Sequence, residues 1–397
     1  MTATEPPLRL LHVIATLARA SGGPAQACLD MARALARRGH EVTILTTDLD
    51  TPDAPPDGVP VMRDGVTIRT FPVHVPRFWR ASLPLGRALG RALGDPATRP
   101  DLVHVHSFYL FHDLAAWFWC RRRGVPYIVQ PHGVLDPYLY RRHRGRKAVI
   151  DWLYQDRMLS DAAAVMYTTE EERLLAEPHA RGARGLVVPL GLDPADYAAP
   201  PPAGHLAARF PELRAKRLVL HFGRLNFKKG LDVLVEAFAR LAADRPDLHL
   251  VLAGPDDGMG EQVRGWLGAR GLAGRATFTG LLAGPDKLAA LAESHVFALP
   301  SYSENFGIAV IEALASGTPV VISDRVNIWR EISGAEAGLV GPPEAGPIAD
   351  ALARLLDDAG LRARMAANGR RLVAERFDWA AVGGELAAAY RRCLGRP

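Results

Sequence analysis

The chain alternates between short continuous apolar runs and longer stretches whose apolar positions recur three or four residues apart. The short runs predict strands at residues 8–15, 41–46, 66–71, 102–106, 127–130, 163–167 and 186–189, and again at 217–222, 248–253, 277–280, 296–299 and 319–322. The longer stretches predict helices at 24–38, 83–94, 230–243, 260–270, 286–293, 307–316, 348–356, 361–375 and 379–394. A strand, a crossover helix and a strand in succession build a parallel sheet, so the alternation predicts an α/β class with two successive parallel-sheet halves. A Pro/Asp loop is expected at 52–60. The Pro- and Ala-rich stretch 194–204 reads as the linker between the halves.

Length supports the division, because 397 residues exceed the roughly 250–300 at which one core stops growing. The predicted domains are 1–195, 196–376 and a final segment 377–397. The net charge of +5 favours anionic ligands but is too weak to imply nucleic acid. Three widely spaced cysteines, Cys28, Cys120 and Cys393, suit free thiols in a reducing compartment. The first residues lack a basic segment followed by an apolar one, and no apolar run reaches about 18 residues. A cytoplasmic protein is expected.

The richest stretch runs from Pro300 to Ile322. A strand end leads through Glu304-Asn305-Phe306-Gly307-Ile308 into a helix that carries Glu312, with Gly317 closing it. The first N–H groups of that helix have no partner within it, so the loop offers an anion site between two carboxylates. If Gly307 opens the helix, Glu312 lies about 7.5 Å further along, roughly the span from a pyrophosphate to its ribose hydroxyls. A paired-carboxylate hydrolase is the competing reading. About 80° of helical rotation and a helix N-terminus between Glu304 and Glu312 argue against it.

Gly223-Arg224 to Lys229-Gly230 places two cations on the loop after a strand, where ligands of open α/β sheets bind, although a solvated basic loop has the same appearance. Pro131-His132-Gly133 sets an imidazole at another strand end, either positioning a hydroxyl or serving structure. Gly22-Gly23 before a helix is either an anion-binding turn or a tight turn only. No G-x-G-x-x-G follows the first strand and no G-x-x-x-x-G-K-[ST] occurs, which counts against dinucleotide oxidoreductases and P-loop NTPases. Asp48-Leu49-Asp50 lacks a partner and is assigned no metal, and Asp256-Asp257 reads as a turn. Trp117-Phe118-Trp119 beside Arg121-Arg122-Arg123, and the basic run 141–147, read either as a peripheral anionic-membrane contact or as a core-facing aromatic helix with a solvated basic end.

Glu304 to Glu312 followed by Ala-Leu-Ala-Ser-Gly-Thr-Pro resembles the E-x7-E signature of retaining GT-B glycosyltransferases of family four. The resemblance extends over Gly22-Gly23, Pro131-His132-Gly133, Gly223-Arg224, Lys229-Gly230, Ala253-Gly254-Pro255 and Thr279-Gly280, and its first-half motif is similar to members that build bacterial surface polysaccharides. It implies two Rossmann-like domains facing a central cleft, with the last helix returning to the first domain. It implies that Arg224 and Lys229 hold a donor pyrophosphate, helped by the amides of Phe306, Gly307 and Ile308 and by Gly22 and Gly23. Glu304 would bind donor-sugar hydroxyls with Asn305 beside it, Glu312 the ribose, Leu281 or Leu282 the base, and His132 the sugar near its anomeric carbon. The implied activity is metal-independent, cofactor-free, retaining transfer from a UDP- or GDP-sugar to a saccharide or lipid-linked saccharide hydroxyl. The rival readings are a nucleotide-sugar epimerase of the same architecture, a much longer pyridoxal-phosphate phosphorylase, and a non-catalytic nucleotide-sugar-binding protein.

Overall fold

The first apolar run forms β1 (Arg9–Thr16), buried at every position after Arg9, and its parallel neighbour is β2 (Glu41–Thr47). There follow β3 (Pro60–Arg63), β4 (Val66–Phe71), β5 (Leu102–His106), β6 (Tyr127–Gln130), β7 (Ala164–Tyr167) and β8 (Gly185–Val187). The sheet order is β3-β4-β2-β1-β5-β6-β7-β8, parallel throughout except that β3 runs antiparallel to β4. The computed structural model describes residues 6–18, 22–51, 55, 57–74, 77–141 and 144–396. Ser21, residues 52–54 and 56 of the expected 52–60 loop, residues 142–143 of the basic run and the first five residues lie outside these.

This first unit comprises Met1–Gly191 and Trp379–Pro397. Its core interleaves strand residues Val13, Leu45, Val103 and Val129 with Leu85 and Leu89 from the helix Leu83–Gly94. That helix starts where the Ser82 hydroxyl accepts from the Leu85 amide at 3.3 Å, a side-chain N-cap. The aromatic stretch at 117–119 lies in the helix Phe111–Arg123, opened by the Asp113 carboxylate accepting from Leu110 and Tyr109 and ended by Gly124 in the left-handed region. The final helix, Trp379–Cys393, buries Leu386 and Tyr390 in this unit and packs against the helix Gly23–Arg37.

The second unit, Leu192–Asp378, holds β9 (Arg217–Phe222), β10 (Leu248–Ala253), β11 (Ala276–Gly280), β12 (Val296–Leu299), β13 (Val320–Ser323) and β14 (Gly338–Gly341). All are parallel, in the order β11-β10-β9-β12-β13-β14. Val219, Leu250, Leu252 and Val296 pack against Phe238 and Leu352 from flanking helices. The stretch read as a linker is structured: Ala195–Ala198 is a short helix of this unit, and Tyr197 bonds to Glu312. Two strands went unpredicted. β3 is an exposed edge with Pro at its start, and β14 is four residues long with a glycine at each end. Among the described residues no helix is long and apolar enough to cross a membrane.

Candidate functional site

In the second unit the functional side chains gather at the carboxyl ends of β9, β10 and β12. The loop after β9 makes one 3₁₀ turn, Phe227–Lys229, and enters the helix Leu231–Ala242 through Gly230. Gly230 has φ +62°, and a Cβ there would stand 2.0 Å from the Pro300 carbonyl oxygen, so only glycine lets the β9 and β12 loops touch. Tyr302 N–H donates to the Lys228 carbonyl at 2.7 Å across the same contact. Lys229 is thereby aimed at Glu304 and donates to its Oε2.

Glu304 sits on a clamped backbone: its N–H donates to Arg325 and its carbonyl accepts from Asn327, both at 3.0 Å. Burial pushes its carboxyl up, but the Lys229 ammonium, with Lys228 and Arg224 behind it, wins and leaves it below the usual carboxylate range. The two predicted cations differ in their own partners. Arg224 donates at 2.8 Å to Asp257, which also accepts from Asn226, so Asp257 does more than shape a turn. Asp256 does shape the turn, accepting three successive amides from Gly258 to Gly260.

Gly307 is the N-cap of the helix Ile308–Ala315 at φ +83° and brings no side-chain cap to it. Phe306 turns inward, 3% exposed and edge-on to Phe377, so its ring anchors the loop and only its backbone faces the site. Glu312, four residues into the helix, does not meet Glu304. Its Oε1 accepts from Lys287 at 2.5 Å and from the Tyr197 hydroxyl at 3.0 Å, leaving Oε2 for another donor. Sequence reasoning missed both partners, which come from other segments. After β11, Leu281 is 66% exposed whereas Leu282 is 2% exposed and belongs to the core, so of the two only Leu281 is at the surface. Asn305 adjoins Glu304 and is partly buried.

In the first unit His132 adopts φ +51°, rare for a non-glycine residue, and its loop is pinned where Gly133 N–H donates to the buried Glu172 at 2.8 Å. Its Nε2 lies 3.0 Å from His106 Nδ1, and His106 Nε2 lies 3.0 Å from His12 Nδ1. Parallel register sets His12 beside His104, and the two-residue strand repeat places His106 on the same face. The Tyr390 hydroxyl meets His104 Nδ1 at 2.6 Å, and His112 Nε2 donates to the His106 carbonyl at 2.7 Å. Burial lowers His12 and His132 to about 3 and His112 to about 4, so this row stays neutral at ordinary pH. Nitrogens of His12, His104 and His106 fall within 4.8 Å of one another, spacing close to that of a metal site. Two of them are already bonded to each other, and the His104 and His106 rings stack at 4.2 Å and 26°, which sets their in-plane lone pairs side by side rather than toward a shared centre.

Gly22 is the N-cap of the helix Gly23–Arg37 with φ +81° and no side-chain cap, and space beside Gly23 is open. Asp48 accepts from the Val73 amide, tying the segment after β2 to the segment after β4. The aromatic–basic stretch is largely committed to structure: Trp117 and Arg121 both bond Asp161, and the Arg123 guanidinium lies over Trp119. Phe118 of that stretch is 51% exposed, and further apolar exposure lies at Val149, Trp152 and Leu153.

Two family descriptions match the chain, "Glycosyl transferase 4-like domain" over residues 22–191 and "Glycosyl transferases group 1" over 208–372. The D-inositol 3-phosphate glycosyltransferase of Stackebrandtia nassauensis is 32% identical across 95% of this chain and 88% of its own. The phosphatidyl-myo-inositol mannosyltransferase of Mycolicibacterium smegmatis is 34% identical across 54% of each. Among solved structures, sucrose-phosphate synthase from Thermosynechococcus elongatus superposes with a TM-score of 0.81 at 22% identity, covering 98% of this chain and 99% of that one. HepE of Anabaena in complex with UDP-glucose superposes at 0.75 with 20% identity, covering 97% and 100%.

Proposed function

The chain belongs to the family-four glycosyltransferases of GT-B fold, and from that premise we propose that it moves a sugar from a UDP- or GDP-sugar to a hydroxyl of a saccharide or lipid-linked saccharide, with retention and without a metal. The observation that carries this reading is the Lys229–Glu304 pair at the carboxyl ends of β9 and β12, directly before the uncapped amides of Gly307 and Ile308. A fixed ammonium and a helix N-terminus stabilise charge developing on a departing pyrophosphate, while an ionised carboxylate accepts from sugar hydroxyls. Glu312 then takes a ribose hydroxyl on Oε2, and Leu281 covers the base. His132, neutral and fixed, contacts the sugar. The leaving phosphate accepts the acceptor's proton during front-face attack, so the site needs no separate base.

Relatives support the substrate class: HepE is described in complex with UDP-glucose, and the full-length relative is an inositol-phosphate glycosyltransferase. The test is incubation with UDP-, GDP- and ADP-sugars and saccharide acceptors, following nucleoside diphosphate release and product anomer with and without EDTA. Acceptor-dependent release, an unchanged anomer and insensitivity to EDTA are expected. Nucleotide binding without release from any donor overturns the enzyme reading, and donor isomerisation without transfer assigns an epimerase.

The same reading gives the acceptor side an anionic membrane surface. Trp152 is 78% exposed, Val149 57%, Leu153 55% and Phe78 71%, beside a cavity of about 640 Å³ that Trp79 and Trp117 help to line. Val149, Trp152 and Leu153 follow the basic run that ends at Lys147, and an aromatic apolar patch next to cations suits an anionic headgroup layer. Flotation with phosphatidylglycerol vesicles is expected to carry the protein, and Trp152→Ser to lower that fraction. Flotation equal to that on neutral vesicles ends the membrane assignment.

A further inference from the structure

We propose that His12 and His106 form a tautomer relay that fixes His132 with its proton on Nδ1, making them positioning residues for the ligand-facing imidazole. What His132 then contacts rests on the function proposed above, but the relay itself does not. Each neutral imidazole has one N–H and one bare nitrogen, so the linked row His12 Nδ1, His106 Nε2, His106 Nδ1 and His132 Nε2 has only two arrangements. In one, every proton sits on Nδ1: His12 donates to His106, His106 donates to His132, and His132 presents Nδ1–H outward. In the other, every proton sits on Nε2, and His132 presents a bare nitrogen.

The inner end decides between them. His12 Nε2 is fully buried with no hydrogen-bond partner among the described residues. The second arrangement leaves an N–H there without an acceptor, whereas the first leaves a bare nitrogen, and buried orphan N–H groups are the rarer and costlier kind. His132 Nε2 therefore receives a proton it does not own. Switching its tautomer requires both linking protons to move inward together.

The row is held on every side. His104 stacks on His106 and meets Tyr390 from the final helix, His112 fixes the His106 carbonyl with Arg80 behind it, and the Glu172 carboxylate pins Gly133 next to His132. The left-handed backbone at His132 is the kind of local strain that persists where surroundings dictate an orientation. Burial also disfavours the imidazolium along the row.

Long-range proton–nitrogen correlation spectra of the full chain labelled with ¹⁵N-histidine read each tautomer directly. His12, His106 and His132 are expected as Nδ1–H from pH 5 to 8. His106→Leu releases His132 to a tautomer mixture, and His12→Phe, which removes no atom touching His132, shifts the mixture the same way. An Nε2–H form of His132 in the unaltered protein overturns the relay even if neither variant folds. Unchanged His132 signals in both variants overturn it too, as does stoichiometric Zn²⁺ uptake that removes the Nδ1–H signals. Correct tautomers in a protein with no transferase turnover leave the relay standing and remove the function instead.

Discussion

The two units solve one problem in opposite ways. Each must hold polar groups at the carboxyl ends of buried parallel strands, where desolvation penalises charge. The second unit keeps them ionised and compensated: Lys229 with Glu304, Lys287 with Glu312, Arg224 with Asp257. The first unit keeps them neutral, a row of imidazoles from His12 to His132 joined nitrogen to nitrogen. Compensated charge suits the pyrophosphate proposed above, because an incoming anion can replace the carboxylate as the cation's partner. A neutral row suits a site that must present a fixed hydrogen-bond donor without attracting a proton. The lesson is that a strand end tolerates polar chemistry either by pairing opposite charges or by suppressing charge, and one chain uses both.

Acid separates the two devices most strongly. A histidine whose folded pKa lies below 6.5 stays neutral while the unfolded chain takes up a proton, so its contribution is intact above 6.5 and is lost as pH falls toward the folded value. For His12 and His112, at about 3 and about 4, each costs about 2 kcal/mol by pH 5. His104 and His106 push in the same direction. The second unit has the fully buried His221, at about 4, and its depressed Glu304 loses stability only as pH falls below the ordinary carboxylate range. Hydrogen exchange at pH 7 and pH 5 is therefore expected to show β1 and β5 losing more protection than β9 and β12. Equal losses would break the contrast.

Geometry gives the next largest effect. In Gly230→Ala the new Cβ meets the Pro300 carbonyl, and the strained φ adds to it, so destabilisation of about 2–3 kcal/mol is expected, with loss of donor turnover. Denaturant midpoints test this, and an unchanged midpoint would mean the β9 and β12 loops do not touch as described. Lys229→Ala and Glu304→Ala are then expected to lower turnover more than tenfold, over ~1.4 kcal/mol, while the fold survives. Wild-type turnover in both would sink the charged half of the comparison.

How much of this was legible follows from how local each signal is. Strands β5, β6, β10 and β12 fall on the predicted residues because continuous apolar runs flanked by turn residues leave little choice of register. The loop carrying Glu304, Phe306 and Gly307 was legible because its chemistry is contiguous. The histidine row was not: His12, His104, His106 and His132 sit on three separated segments, and only the parallel register of β1 with β5 aligns them. His132 was visible as a strand-end imidazole, whereas its partners read as ordinary strand residues. Lys287 escaped because a lone lysine on a helix gives no hint of a buried carboxylate opposite. The Pro-rich stretch 194–204 lies just past the division between the units at Gly191 and Leu192, but its composition gave no sign that Ala195–Ala198 is helical and that Tyr197 is tied to Glu312.

That tie gives the smallest and most discriminating effect. Tyr197 and Lys287 both donate to Oε1 of Glu312, so they share one acceptor. If Glu312 receives a ribose hydroxyl on Oε2, its partners orient the carboxylate without touching the nucleotide's phosphates. Tyr197→Phe removes one neutral donor to an acceptor that Lys287 still satisfies, a change of about 1 kcal/mol or less. UDP or GDP affinity measured by calorimetry is expected to fall about threefold, with kcat at saturating donor unchanged, because the hydroxyl helps ground state and transition state alike. A kcat loss with unaltered nucleotide affinity would place Glu312 in the chemistry and abolish the division of labour between it and Glu304.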